Sequence, residues 1–244
     1  MYLYKYRDLS NFESTAFDRL VQTLQSNMFW CAAPSSLNDP EEFIWDCDYT
    51  STVNSGKLLE QLLISCGKSP EIARHYVEVA VNAGLFEQAA RECVEQMIAI
   101  CRSQFGLACF ATSGDLDVMW TRYGGSGNGV CIEVSVPDDL LHVKVHQVSY
   151  SDTRTIHVDT LLAAFCDCSA SAAIYDVALL TKSLIWASEL EIRFLSERQN
   201  VSAQIPGAHI TRVIIGPGVR KGLTAKLKSH LDVIRSRIEI VSRA

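Results

Sequence analysis

Two periods of apolar residues run through this chain. From Trp186 to Phe194, WASELEIRF alternates, so that Leu190, Ile192 and Phe194 fall on one face of a strand and Glu189, Glu191 and Arg193 on the other. Near the start, YLYKYR (2–7) reads as a strand. The segment after it has the helical period, with Phe17, Leu20, Val21 and Leu24 as one stripe and Ser10 and Glu13 at capping-box spacing. MFWCAA (28–33) predicts a second strand, which runs into the turn-rich PSSLNDPEE (34–42).

From about Ser55 to Phe105 the pattern is helical, with breaks at CGKSP (66–70) and NAGLF (82–86), and predicts an inserted helical layer serving as scaffold or lid. LACFATS (107–113) returns to strand. GDLDVMWTRY (114–123) predicts a short helix with Ser113 or Asp115 near its start, and GVCIEVSV (129–136) a strand, to which VKVHQVSY (143–150) is expected to pair. Residues from about 155 to 184 read as one or two apolar helices. After WASELEIRF come HITRVIIG, VRKGLTAKLKSHLDVI and RIEIVS, read as strand, helix and strand. Strands and helices do not alternate in long regular units, so the expected class is α+β with a mixed or mostly antiparallel sheet, in a single domain over 1–244 with a helical insertion at about 55–105.

Composition narrows the classes. A hydrophobic fraction of 48% in 244 residues is enough for a substantial core. A net charge of -6 and a pI near 5.5 argue against a general polyanion binder, and leave Lys5, Arg7, Arg122 and Arg193 as cations for a particular anionic ligand. No apolar run reaches the roughly 18 residues of a membrane span, and MYLYKYRDLS lacks the signature of a secretory leader, so a cytoplasmic protein without membrane contact is expected. The cysteines at 31, 47, 66, 93, 101, 109, 131, 166 and 168 are odd in number and mostly sit in apolar stretches, which fits reduced thiols rather than a disulfide framework.

Against this background the Glu189, Glu191 and Arg193 row stands out. Polar residues at alternate strand positions often mark a wet sheet face. Here Trp186 precedes the row, the acids are i, i+2 and so about 7 Å apart, and Arg193 is near enough to orient one of them. GGSGNG (124–129) does not match the GxGxxG fingerprint, and its turn chemistry suggests a flexible connection. The histidines show no HExxH, and Cys166 and Cys168 lack a second ligand pair, so no metal site is assigned, although Asp39, Glu41, Glu189 and Glu191 suit a carboxylate-held magnesium ion. There is no GxSxG nucleophile elbow. Ser35, Ser36, Asn38 and Asp39 follow a strand end, where both structured turns and binding loops occur.

Taken together, YKYR, FWCAAPSSLNDPEE, CFATSGDLDVMWTRYGGSGNGVCIEV, VSY and WASELEIRF resemble the bacterial family of unknown function DUF2971 over almost the whole chain. Ala111-Thr112 stands where that family usually has a serine after Cys-Phe. More distantly, the motif order is similar to the ADP-ribosyltransferase fold, which has a basic residue on an early strand, Ser or Tyr on a second, and a catalytic Glu, often in E-x-E, on a late one. That resemblance implies Arg7 or Lys5 in the first role, Ser35 or Ser36 in the second, and Glu191 or Glu189 in the third. The first strand carries Tyr-Lys-Tyr-Arg in place of a clear His-Gly or Arg-Gly.

The implied chemistry is cleavage of the nicotinamide–ribose bond of NAD. Its oxocarbenium-like transition state is stabilised by a nearby carboxylate, here Glu191, while Glu189 positions or deprotonates the acceptor. Lys5, Arg7 and Arg193 would serve the anionic ligand, with Trp30, Trp120 or Tyr123 stacking on a ring and Ser35, Ser36, Asn38 and Asp39 completing the cofactor site. The expectation is an ADP-ribosyltransferase-like enzyme that modifies a protein or nucleic acid or hydrolyses NAD, as a toxin or phage-defence effector. Two other readings are a non-catalytic ligand- or protein-binding module and a metal-dependent nuclease built on Asp39, Glu41 and the late acids.

Overall fold

The computed structural model describes residues 1–11, 15–39, 46–152, 155–166, 172–233 and 238–243. The first elements are β1 (Tyr2–Arg7), α1 (Ala16–Ser26), β2 (Phe29–Cys31) and β3 (Asp46–Asp48), then the helices α2 (Ser55–Ser65), α3 (Pro70–Asn82) and α4 (Phe86–Gln104). There follow β4 (Gly106–Ala111), α5 (Asp117–Arg122), β5 (Val130–Ser135), β6 (Val145–Gln147), β7 (Ser149–Tyr150), β8 (Thr155–His157), α6 (Val158–Cys166), α7 (Ala172–Tyr175) and β9 (Thr181–Lys182). The series closes with β10 (Glu191–Ser196), β11 (Val201–Ala203), β12 (His209–Ile215), α8 (Lys221–Val233) and β13 (Glu239–Ser242). These elements form two compact units, one from Met1–Ala33, Phe105–Val148 and Ile185–Ala244, the other from Pro34–Gln104 and Ser149–Leu184.

The first unit is built on a seven-stranded sheet in the order β13-β12-β5-β1-β4-β10-β6. Its strand pairs are antiparallel except β12 with β13, which are parallel and joined through α8. The molecule is therefore α+β with a mostly antiparallel main sheet. Strand alternation sorts the apolar residues onto two faces. Leu3, Phe110, Ile132, Ile192, Phe194 and Val213 pack with Phe17, Leu20 and Leu24 of α1 and with Leu223, Leu227 and Leu231 of α8. On the reverse face Tyr6, Ala111, Cys131 and Ile214 pack with Met119 and Trp120 around α5. The α1 stripe is thus the predicted one, except that Val21 is only partly buried.

Three local expectations are corrected. Helix α1 starts at Ala16, and its N-cap residue Thr15 makes no side-chain cap; Ser10 lies upstream, where its N–H donates to Asp8 Oδ1 at 2.7 Å, and Glu13 is outside the described residues. The VKVHQVSY segment does not pair with β5, because β1 and β12 occupy both edges of that strand. Its β6 portion pairs instead with β10, Ile192 opposite Gln147 and Arg193 opposite His146. Finally, WASELEIRF is a strand only from Glu191 onward: Leu184–Glu189 is a 3-10 turn, and Leu190 has φ 48°, a left-handed conformation that costs a branched residue about 1–2 kcal/mol.

The second unit holds the helical run. Its breaks fall where the sequence suggests: α2 ends before Gly67, and Ser69 caps α3 by accepting a hydrogen bond from Ile72 N–H, with Pro70 at the first helical position. Leu59, Leu62, Ala73, Val77, Ala90, Val94, Leu161 and Leu162 are among its buried residues. The segment expected to be wholly helical between 155 and 184 also contributes β8 and β9, which pair in parallel with β3 and β7.

Candidate functional site

The start of β10 gathers the charged groups. Arg193 lies opposite Cys109 of β4 and His146 of β6, and alternation aims it, with Glu191, at the face bearing Ala111 and Tyr6. Arg193 Nε donates to Glu191 Oε1 at 2.7 Å; Arg193 is 0% exposed and Glu191 4%. A charge-assisted bond between two desolvated groups holds both side chains in one geometry, and neither can lose its partner cheaply.

Glu189 reaches its partners because the 3-10 turn and the left-handed Leu190 carry it out of the strand row. Leu190 C=O accepts from Thr112 N–H at 3.2 Å, which ties the turn to the end of β4. Glu189, 1% exposed, accepts from Arg122 Nη1 at 2.9 Å and from Tyr123 Oη at 3.0 Å, both at the C-terminal end of α5. The guanidinium of Arg122 also lies 4.4 Å from the centre of the Trp186 ring, a cation–π contact. With its side chain 36% exposed, Arg122 meets solvent, and Tyr123 and Trp186 beside it are partly exposed.

The first-strand cations sit elsewhere. Lys5 and Arg7 alternate with Tyr4 and Tyr6 and so share the face of Leu3 and Ile132, opposite to that of the glutamates. β1 and β4 share a single register pair, Tyr4 with Ala111, and beyond it Lys5 Nζ donates to Cys109 C=O at 2.7 Å, with the Phe110 ring 5.6 Å away. Burial pushes the Lys5 ammonium down to about 8. The positive charge of Arg7 adds to that effect, and Glu191 is close enough to oppose it. Arg7 is likewise lowered by burial and by Arg19, and its Nε is buried without a hydrogen-bond partner among the described residues.

The other predicted residues disperse. Trp120 is a core residue, 2% exposed, edge-on to Tyr6 at 5.3 Å, with Nε1 donating to Gly114 C=O at 2.8 Å; no ring face is left for a ligand to stack on deeply. Trp30 is half exposed on β2, opposite Ser202 of β11. Ser35, Ser36 and Asn38 are exposed and Asp39 is buried, all in the helical unit, where Pro34–Ser36 forms a 3-10 turn. Glu41 lies outside the described residues, and among those described no group of three or more His, Cys, Asp or Glu converges to hold a metal ion.

The GGSGNG loop is not a flexible connection. A Cβ on Gly125, whose φ is +58°, would stand 2.1 Å from Asp8 Oδ1, and one on Gly129 would stand 2.0 Å from the Arg7 carbonyl oxygen. Gly127 and Asn128 donate their N–H groups to Gly124 and Gly125 within the turn, which turns those amides away from any phosphate. Glycine is required here for close packing against the end of β1.

One acid was missed in the sequence. Glu133 on β5 is buried and accepts from Thr211 Oγ1 at 2.7 Å and Tyr4 Oη at 3.2 Å, with Arg212 Nη1 at 3.6 Å. Burial first, and then the Glu133 charge, push the Tyr4 phenol up to about 12. The signal was present in GVCIEVSV, where a single acid interrupts an apolar strand, as in ELEIRF.

No protein-family model, curated protein or solved structure matches the chain. Fold and site together define an α+β protein in which the turn into β10 and the start of that strand carry two glutamates, each clamped by an arginine. Among the described residues no helix is long and apolar enough to cross a membrane.

Proposed function

We propose that the protein is an ADP-ribosyltransferase-like enzyme of the DUF2971 kind that acts on NAD, with Glu191 and Glu189 as its carboxylates. The observation that carries this reading is the pair of arginine clamps, Arg193 on Glu191 and Arg122 on Glu189, since a carboxylate that must stabilise developing positive charge at a ribose has to be held in one orientation. NAD brings the scissile nicotinamide–ribose bond. The group that suits its anionic and aromatic parts is Arg122 stacked on Trp186, where a partly exposed cation lies on an indole face beside Tyr123. Lys5 and Arg7 lie on the opposite sheet face; the unpartnered Arg7 Nε suits an anion there, whereas Lys5 supports the site through the charge it presents to Glu191.

A second reading, a non-catalytic recognition module, is favoured by a specific observation: both glutamates are nearly inaccessible and internally paired. The two separate cleanly. Purified protein is incubated with NAD and lysate, and nicotinamide release is followed for wild type, Glu191→Gln and Glu189→Gln with and without chelator. Chelator-resistant release abolished by Glu191→Gln is the expected result. Absence of release with any acceptor, together with no NAD binding by calorimetry, rejects the transferase reading. Release that disappears with chelator moves the weight to a metal-dependent activity.

A further inference from the structure

Sulfur side chains from three helices lie near one another in the second unit, two of them in contact. Cys66 caps the C-terminus of α2, is exposed, and places its Sγ 3.9 Å from Met97 Sδ on α4. Cys93 precedes Met97 by four residues on α4, so the two lie on one helix face, both half-buried. Cys166 ends α6, and its Sγ lies 3.7 Å from Leu58 C=O on α2. The charge of Cys66 is near enough to both Cys93 and Cys166 to raise their thiols further, beyond what burial does. None of these residues takes part in the charged cluster of the sheet.

We propose that Cys66, Cys93 and Met97 form a binding site for a soft monovalent metal ion of the cuprous type. Thiolate and thioether donors select such an ion over oxygen-seeking cations. A metal–sulfur bond of about 2.3 Å sets two donors of a trigonal site roughly 4 Å apart, which is the spacing of the Cys66 and Met97 sulfurs. Binding exchanges two thiol protons for one cuprous ion: two S–H bonds break, three metal–sulfur bonds form, two protons go to solvent, and no electron is transferred. Because two protons leave for each ion bound, uptake strengthens as pH rises. Zinc is a poor occupant, since among the described residues no three His, Cys, Asp or Glu side chains converge to hold it.

The test is competition between the reduced full-length protein and a chromophoric cuprous chelator, read by loss of the chelator complex, with far-UV circular dichroism as a check on folding. The expected result is uptake of one equivalent that is lost in Cys66→Ser, weakened by about tenfold or more in Met97→Leu, and unchanged in Cys47→Ser. Met97→Leu conserves volume and so separates ligation from packing. Uptake that Met97→Leu and Cys66→Ser leave unaltered, no uptake at all, or zinc binding of equal strength at the same residues overturns the proposal; in the first two cases the sulfurs are packing neighbours only.

Discussion

At the scale of single residues, the Glu191–Arg193 pair separates a stabilising contact from a specifying one. Each partner lies in a site with almost no access to water, so Arg193→Met and Glu191→Leu should each lower the unfolding free energy by about 3–5 kcal/mol. Combined with Glu191→Leu, Arg193→Met should cost much less than the two single changes added together, because both charges of the pair are then gone. Urea denaturation of the four proteins closes the cycle; additive costs would mean that the pair is not coupled. Lys5 gives a pH signature. Unfolded, its amine keeps a proton to near 10.4, whereas burial lowers the folded value to about 8. Between those values the unfolded chain binds more protons, so stability rises with pH. Relative to Lys5→Met, the wild type should gain stability from pH 8 to 10, by roughly 3 kcal/mol at most, measured as the shift in urea midpoint. The acids of this site were legible because alternation isolates them in an apolar strand. Their partners were not: Arg122 and Tyr123 are 67 and 66 residues away from Glu189, and nothing local in MWTRY points to a glutamate.

At the scale of elements, periodicity located the strands and helices better than it located their ends or neighbours. WASELEIRF keeps a perfect alternation through Leu190, yet the chain turns left-handed there, and the strand begins one residue later. A two-residue period cannot reveal a kink that leaves the pattern intact. Pairing is equally hidden: β6 joins β10 rather than β5 because a strand deep in a sheet has both edges taken. The glycine loop went the other way, since composition suggested freedom and the backbone of Arg7 removes it. Gly129→Ala should lower the melting temperature markedly, its Cβ colliding with a main-chain oxygen that no rotamer change can move. Gly222→Ala, at the start of α8 with nothing within 4 Å, should raise stability by about 0.5 kcal/mol. If both changes behave alike in a thermal melt, the loop is not packed as described.

At the scale of the whole molecule, the mixture of strands and helices and the abundance of apolar residues made an α+β class legible. The division into units was less so, because each is assembled from separate stretches of chain. Pro34–Gln104 and Ser149–Leu184 interrupt the sheet unit twice, and no change in composition marks either crossing. The helical run from α2 to α4 announces itself by period, while the small parallel pairs β3–β8 and β7–β9 are two- or three-residue strands with no pattern long enough to read.

That interleaving has a consequence for how the protein is made. Strand β1 occupies an interior position of the main sheet, between β5 and β4. On a ribosome it emerges with neither neighbour yet synthesised and waits through the whole of α2, α3 and α4 for β4, and longer still for β5. The thermodynamic cost of so long a loop is slight, since each doubling adds only about 0.6 kcal/mol. The kinetic cost is larger, because a sheet closed by distant strands belongs to the slow end of the folding spectrum and leaves an apolar edge uncovered in the interval. A nascent chain of this topology therefore relies on the helical unit, rich in local contacts, to take shape first, and on whatever shields YLYKYR until its partners arrive.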